Sequence, residues 1–474
     1  MKMTRDKRCH TVLRSLTVLF VAAVCVWGIT EAGYGLLQVL GWRMSRHSLY
    51  ALTGHFNNPG PYGGFIACVM AVAAAWVMRF RVKPGGLRMT TTWIMYILAW
   101  VTIGMGTLVL PASMSRAGWL ALAVALAAEA LRMPQVREWI RKHRWIVPMG
   151  GVGVLALLAG AFLLKTESAL GRLHIWRMEI RAIAERPWTG AGSGMGPWAY
   201  GEAQETFFRA HLGSVSPTVV RVAGCPEYAF NEFLGIGVEY GVPGLLLSVL
   251  LVAASIAVLY KARSPFAAGL TAWAVFACAS YPLSLLQLRI MGAGFVLIAM
   301  VVGILKVGSW RMGCLPVIAA ALLVGWMGFR GAFGEDSMAS RGKTREENYR
   351  AVYEQGHMLH LVERYEESTE MLEQGAKMSC DSMFEIILGK NAEALGDIAR
   401  AEAFYEKAHY MVPSRLYPLV RLMRLQIRTG RNQEALQTAQ RIAAMPVNER
   451  HTGMVRLREE TMSTLDSLRC LCPQ

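Results

Sequence analysis

The feature that most constrains this chain is a succession of apolar runs about twenty residues long, separated by short loops rich in lysine and arginine. Inside a bilayer every backbone N–H and C=O must find its partner within the segment, so runs of this length read as membrane-crossing helices. Nine are expected, at approximately 13–31, 61–79, 91–111, 117–133, 145–164, 233–259, 265–284, 290–306 and 313–330. The first also has the length of a signal peptide. No small-residue cleavage site follows it, however, and Glu31 to Trp42 continue as a half-apolar segment, so it reads as a retained helix. The expected fold class is therefore all-α: a polytopic transmembrane helix bundle (residues 1–330) with a hydrophilic helical domain (335–474) behind it.

Charge separates the same two regions. Residues 1–330 hold 30 Lys and Arg against 12 Asp and Glu, whereas residues 331–474 hold 19 against 21. The positive residues lie between apolar stretches and not on one exposed, aromatic-laced face, so no nucleic-acid partner is expected. Short loops rich in Lys and Arg remain cytoplasmic. With the N-terminus inside, the inner loops carry 18 of these residues and the short outer loops only Arg43, Arg46, Arg116 and Arg289. An odd number of crossings then places both the 165–232 loop and the C-terminal tail on the periplasmic side of a bacterial inner membrane. The nine cysteines show no CxxC or Cys/His spacing, so no metal site is expected. Cys380, Cys470 and Cys472 are candidates for a disulfide if the tail lies outside the cytoplasm.

Residues 345–446 repeat with a period of about 34, as tetratricopeptide helix pairs do. Ser368, Ala401 and Ala435 occupy the small-residue position. The middle unit runs from Gly396 through Ala401, Tyr405 and Ala408 to Pro413, the third from Gly430 to Pro446, and the first is degenerate. Stacked pairs of this kind offer a concave face to a partner protein; a plain helical bundle is the other reading.

Three clusters contain residues that membrane physics does not require, and all map to the outer side. Gly54 to Gly64 holds His55, Asn57 and Asn58 among two prolines and four glycines, which exclude a regular helix and expose backbone donors. It is either a plain re-entry turn or a binding turn. Ser113 to Leu120 places Arg116 at a membrane boundary, where it either snorkels to headgroups or grips a phosphate. The outer loop carries Arg172 and Trp176 on one helix face, Arg177 and Arg181 on another, and a Pro187–Gly194 turn with GxGxG spacing, read as a flexible turn and not a dinucleotide fingerprint. It ends at Asn231 and Glu232 and leads into Glu239-Tyr240-Gly241.

Taken in order, these pieces resemble the O-antigen ligase and polymerase family, which includes oligosaccharyltransferases acting on proteins. The resemblance covers roughly residues 31–260. It rests on Tyr34 to Gln38, Phe56-Asn57-Asn58-Pro59-Gly60, Arg116 with Leu120, Arg172 with Trp176, the Pro187–Gly194 turn, and Asn231-Glu232 followed by Glu239-Tyr240-Gly241. The resemblance implies transfer of a glycan from a polyprenyl diphosphate carrier to a lipid or protein hydroxyl, without cofactor or metal. It also implies that Arg116 and Arg172 hold the diphosphate and stabilise the leaving group, with Gln38, Asn57, Asn58, Trp176, Arg177 and Asn231 as substrate contacts. The family commonly has histidine just before the asparagine at the sixth-span entrance, as the base, and this chain has Phe230 there. By residue type Glu232, His211 and His174 can replace it. A repeat-unit polymerase, a non-catalytic scaffold displaying its repeats and a transporter are the competing readings; the scarcity of ionisable residues within the spans speaks against the last.

Overall fold

The computed structural model describes residues 2–79, 89–146, 148–150, 153, 166–306, 313–333, 345–445 and 452–471. The described residues are helical, with no strand among them. They form two compact units: Met1–Leu164, Phe230–Ile236 and Pro243–Met327 make one, and Lys165–Ala229, Gly237–Val242 and Gly328–Gln474 the other.

The first unit contains α1 (Lys2–Val39), α2 (Pro59–Arg79), α3 (Met89–Ala112), α4 (Arg116–Ala130), α5 (Pro134–Lys142), most of α9 (Glu232–Lys261), α10 (Phe266–Ala277), α11 (Leu286–Lys306) and most of α12 (Leu315–Phe333). At its centre lies α2, packed against α1, α3, α4 and α10. Small residues permit this. A Cβ on Gly118 of α4 would stand 2.6 Å from the Gly63 carbonyl oxygen, and one on Gly64 would lie 2.4 Å from the Phe276 ring, so both contacts exist only because these positions are glycine. Leu19, Ile94, Trp100, Leu246, Leu297 and Ile304 turn outward and stay exposed. An apolar exterior of that extent requires an apolar solvent.

Among the described residues, Ser15–Val39, Pro59–Arg79, Thr92–Ala112, Glu232–Lys261 and Leu286–Leu305 are long and apolar enough to cross a membrane. The other expected spans differ. The one at 117–133 is Arg116–Ala130 followed, after a 91° bend, by Pro134–Lys142. Pro134 has no N–H to continue a helix but is suited to begin one. The span at 265–284 is represented by the shorter helix Phe266–Ala277, and the one at 313–330 by Leu315–Phe333, of 19 residues. Most of 145–164 lies outside the described residues. Among the described residues, five helices, or six if the bent pair is one span, are thus long and apolar enough to cross a membrane.

The second unit joins the segment after α5 to the tail. It contains α6 (Thr166–Glu185), α7 (Gly196–His211), α8 (Pro217–Val222), and the tail helices α13 (Arg345–Leu361), α14 (Tyr365–Ala376), α15 (Met383–Ala394), α16 (Ile398–Met411), α17 (Tyr417–Arg428), α18 (Asn432–Ala444) and α19 (Thr452–Leu471). Consecutive tail helices pack on one another. Ser368, Ala401 and Ala435 have no exposed surface, because each lets a neighbouring helix approach closely. Against this stack lies α7, which packs on α16, and α6 packs on both α7 and α8.

Candidate functional site

In the first unit the turn between α1 and α2 is built around Gln38. Its side-chain oxygen accepts from Thr53 N at 3.0 Å and Gly54 N at 2.7 Å, while its Nε2 donates to Met44 O at 3.1 Å. Gln38 is 3% exposed, so the amide is committed to holding this turn. Phe56 anchors the turn below by packing on Tyr62 and Phe65. Asn58 Oδ1 accepts from Gly60 N at 3.0 Å and starts α2, while Asn57 and Asn58 both remain exposed.

The turn is fastened directly to the start of α4. Ser115 Oγ donates to Gly60 O at 2.9 Å and accepts from Gly118 N at 3.2 Å, so one hydroxyl both caps α4 and ties it to the asparagine turn. Arg116, half-buried, is the first residue of α4. The first two sequence clusters are therefore neighbours in space. A carboxylate that sequence reasoning passed over lies in the same region: Glu31 of α1, 5% exposed, bonds His55 Nδ1 at 2.9 Å. Its signal was available as an acid inside an apolar helix, which rarely occurs without a partner.

At the start of α9, Asn231 Oδ1 accepts from Phe233 N and Leu234 N and caps the helix. Glu232 Oε2 accepts from Leu283 N at 3.0 Å, and Phe230 packs edge-on against Tyr281.

In the second unit the Pro187–Gly194 turn is closely packed, not loose as expected. Pro243 cannot donate to Glu239 O, and the helix around Gly241 (φ 72°) is broken. The bonds lost there are replaced by the turn: Gly192 N donates to Glu239 O at 3.0 Å, Ala191 N to Val238 O at 2.7 Å, and Val242 N to Pro187 O at 2.7 Å. A Cβ on Gly190 would lie 2.4 Å from Glu239 O, which is why that position is glycine. Two motifs nearly fifty residues apart thus form one structure.

The helix α6 carries Arg172, Trp176 and Arg177. Arg177 and Arg181 each place the guanidinium 4.9 Å from the centre of the Phe207 ring, and His211 stacks on the same ring at 5.1 Å. Arg177 and His211 are therefore brought together, whereas Arg172 and Trp176 are one turn apart along α6. His174, by contrast, is buried and bonds Gln204 Oε1 at 2.8 Å. Burial, with Arg177 adding to it and the Gln204 bond opposing, pushes its imidazole below the usual histidine range. A buried neutral ring of this kind is a packing element.

The same Gln204 donates to Gly224 O at 3.0 Å and to Met411 O, and accepts from Tyr200 OH, so it bonds α7 to the end of α16. Nearby, Lys407 bonds the buried Glu385 at 2.9 Å. Burial holds the Glu385 carboxyl above its ordinary value; burial also pulls Lys407 down, but its contacts with Glu385 and the nearby Glu202 and Glu205 outweigh this and raise it. Cys225 and Cys380 form a disulfide, a pairing not expected from sequence, which had considered Cys380 only with the tail cysteines. Cys470 is a free thiol, and Cys472 lies outside the described residues. Among the described residues no group of three or more His, Cys, Asp or Glu could hold a metal ion.

No curated protein matches the chain. Residues 98–249, about a third of it, match the family model described as O-Antigen ligase. That stretch includes Arg116, Arg172, Asn231, Glu232 and the Glu239-Tyr240-Gly241 break, and it leaves out the Gln38 turn. The match and the apolar helices together make this a membrane protein with an O-antigen ligase-like domain.

Proposed function

We propose that the chain is a glycosyltransferase that moves a glycan from a polyprenyl diphosphate carrier to a lipid or protein hydroxyl at the outer face of the inner membrane. The observation that carries this reading is the O-Antigen ligase match, which contains both of the arginines proposed for the diphosphate. As the glycosyl bond breaks, negative charge grows on the departing diphosphate, and the planar guanidinium groups of Arg116 and Arg172 suit it in geometry and sign. Asn57, Asn58, Trp176 and Arg177 are proposed as substrate contacts. Gln38 and Asn231 act through the turn and cap they hold. Glu232 and His211 remain proton acceptors by residue type.

Nine crossings, an inner N-terminus and an outer tail fit the distribution of Lys and Arg. The Cys225–Cys380 disulfide supports the same sidedness, because such bonds persist in oxidising compartments such as the periplasm. The tail's helix pairs, with Ser368, Ala401 and Ala435 at the close contacts, support a tetratricopeptide-like domain that engages the acceptor or a partner protein.

Deletion in the native cell separates the chemical alternatives. Loss of a ligase leaves long glycan on the lipid carrier; loss of a repeat-unit polymerase leaves single units. Unaltered carrier-linked and transferred glycan would fit a scaffold instead.

A further inference from the structure

Transfer to a hydroxyl releases a proton, and the chain has Phe230 where a histidine base is expected. The first unit holds a histidine–carboxylate pair that meets this need. Glu31 has a side chain 7% exposed and His55 one 45% exposed, with His55 Nδ1 2.9 Å from Glu31 Oε1. A carboxylate buried in an apolar helix is costly unless it is bonded. Here its partner is not an arginine or lysine but a half-exposed imidazole. With Nδ1–H donating to the carboxylate, the basic lone pair of the neutral ring resides on Nε2.

The ring is also stacked, and the backbone that carries the pair is bonded. Tyr34 stacks on the ring with centroids 4.1 Å apart, and the His55 backbone N–H points to Glu31 Oε2 at 3.4 Å. Arg46 donates to the His55 carbonyl at 2.8 Å, and Tyr62 OH donates to the Glu31 carbonyl at 3.3 Å. A Cβ on Gly54 would lie 2.3 Å from the Tyr62 ring, so the residue before His55 is a glycine packed directly on Tyr62. His55 also directly precedes the asparagine turn that Ser115 ties to the Arg116 helix.

We propose that His55 is the base for the acceptor and that Glu31 is its positioning residue; this rests on the transferase reading above. The acceptor oxygen forms a bond to the anomeric carbon while the bond from that carbon to the diphosphate oxygen breaks. The acceptor proton passes to His55 Nε2, and the bonding pair leaves with the diphosphate. Glu31 fixes the tautomer and steadies the imidazolium as it forms.

The test uses the full chain reconstituted in vesicles with a polyprenyl-diphosphate glycan and an acceptor alcohol. His55→Gly is expected to lower the transfer rate about a hundredfold or more, with carrier binding preserved and added imidazole restoring part of the rate. Glu31→Gln is expected to lower kcat about tenfold with KM unchanged, as loss of an orienting partner does, and Glu31→Asp to recover part of it. Unchanged transfer in His55→Gly overturns the assignment, as does a loss that imidazole does not rescue, or a larger loss in Glu232→Gln or His211→Gln. A wild-type chain that consumes no carrier would instead remove the transferase reading itself, so the two failures are distinguishable.

Discussion

Cys225 and Cys380, 155 residues apart in sequence, are joined by a disulfide with their Cα atoms 5.3 Å apart. Cys225 lies just beyond α8 and Cys380 just before α15, so the bond fastens the segment after α5 to the tail helices within one unit. Gln204, bonded to Gly224 O and Met411 O, lies at the same joint. Replacing Cys380 with serine should destabilise this unit by about 2–5 kcal/mol, lowering its melting temperature and accelerating proteolysis in the segments around Cys225 and Cys380. Peptide mapping of the oxidised chain should show the 225–380 linkage with Cys470 alkylated. Labelling of Cys225 in the oxidised native protein would contradict this.

Among the described residues of the first unit, Arg79 and Glu129 form the most enclosed ion pair. Their side chains are 16% and 3% exposed, with Arg79 Nε 2.9 Å from Glu129 Oε2, Nη2 on Oε1, and Nη1 2.6 Å from Ser264 O. Removing one partner strands the other charge in low dielectric. Glu129→Ala should therefore cost about 3–5 kcal/mol, while Arg79→Met with Glu129→Leu should cost much less. Melting temperature and monodisperse yield in detergent measure both; equal damage in the two variants would contradict the account.

His409, 2% exposed, gives the tail a pH dependence. Burial, with the Arg441 charge second, pushes its imidazole down from 6.5 to about 3. The folded state then binds a proton less well than the unfolded one. The stability from keeping the ring neutral is thus complete above the unfolded value and lost as pH falls from there toward the folded one. By about pH 5 the loss reaches about 2 kcal/mol. His409→Leu should flatten the acid side of the melting-temperature profile of the full chain, and a profile identical to wild type would contradict this.

Much of this molecule was readable because membrane helices declare themselves by length and composition. The stretches around Pro59–Arg79 and Glu232–Lys261 needed only their apolar runs. Hydropathy cannot register a bend or a helix end, so neither the 91° bend before Pro134 nor the twelve-residue length of Phe266–Ala277 is legible in the apolar runs. Among the site residues, local motifs revealed the Asn57–Asn58 turn and Arg116. The bond from Ser115 to Gly60 that joins them depends on two glycines, Gly63 and Gly118, meeting across helices. Long-range pairings were invisible for the same reason. Nothing near Cys225 points to Cys380, and nothing in the Pro187–Gly194 spacing says that its N–H groups will replace the bonds lost at Pro243. Glu31 and His55 are 24 residues apart with no periodic relation, and only folding makes them a pair.

The central claim is that guanidinium groups engage a lipid-borne diphosphate, and carrier consumption by the reconstituted chain tests it most directly. With a polyprenyl-diphosphate glycan in vesicles, wild type should release polyprenyl diphosphate. Arg116→Ala and Arg172→Ala should each slow release by about a hundredfold or more, the range seen when one charge-stabilising group is lost. Wild-type rates in both variants would contradict the account.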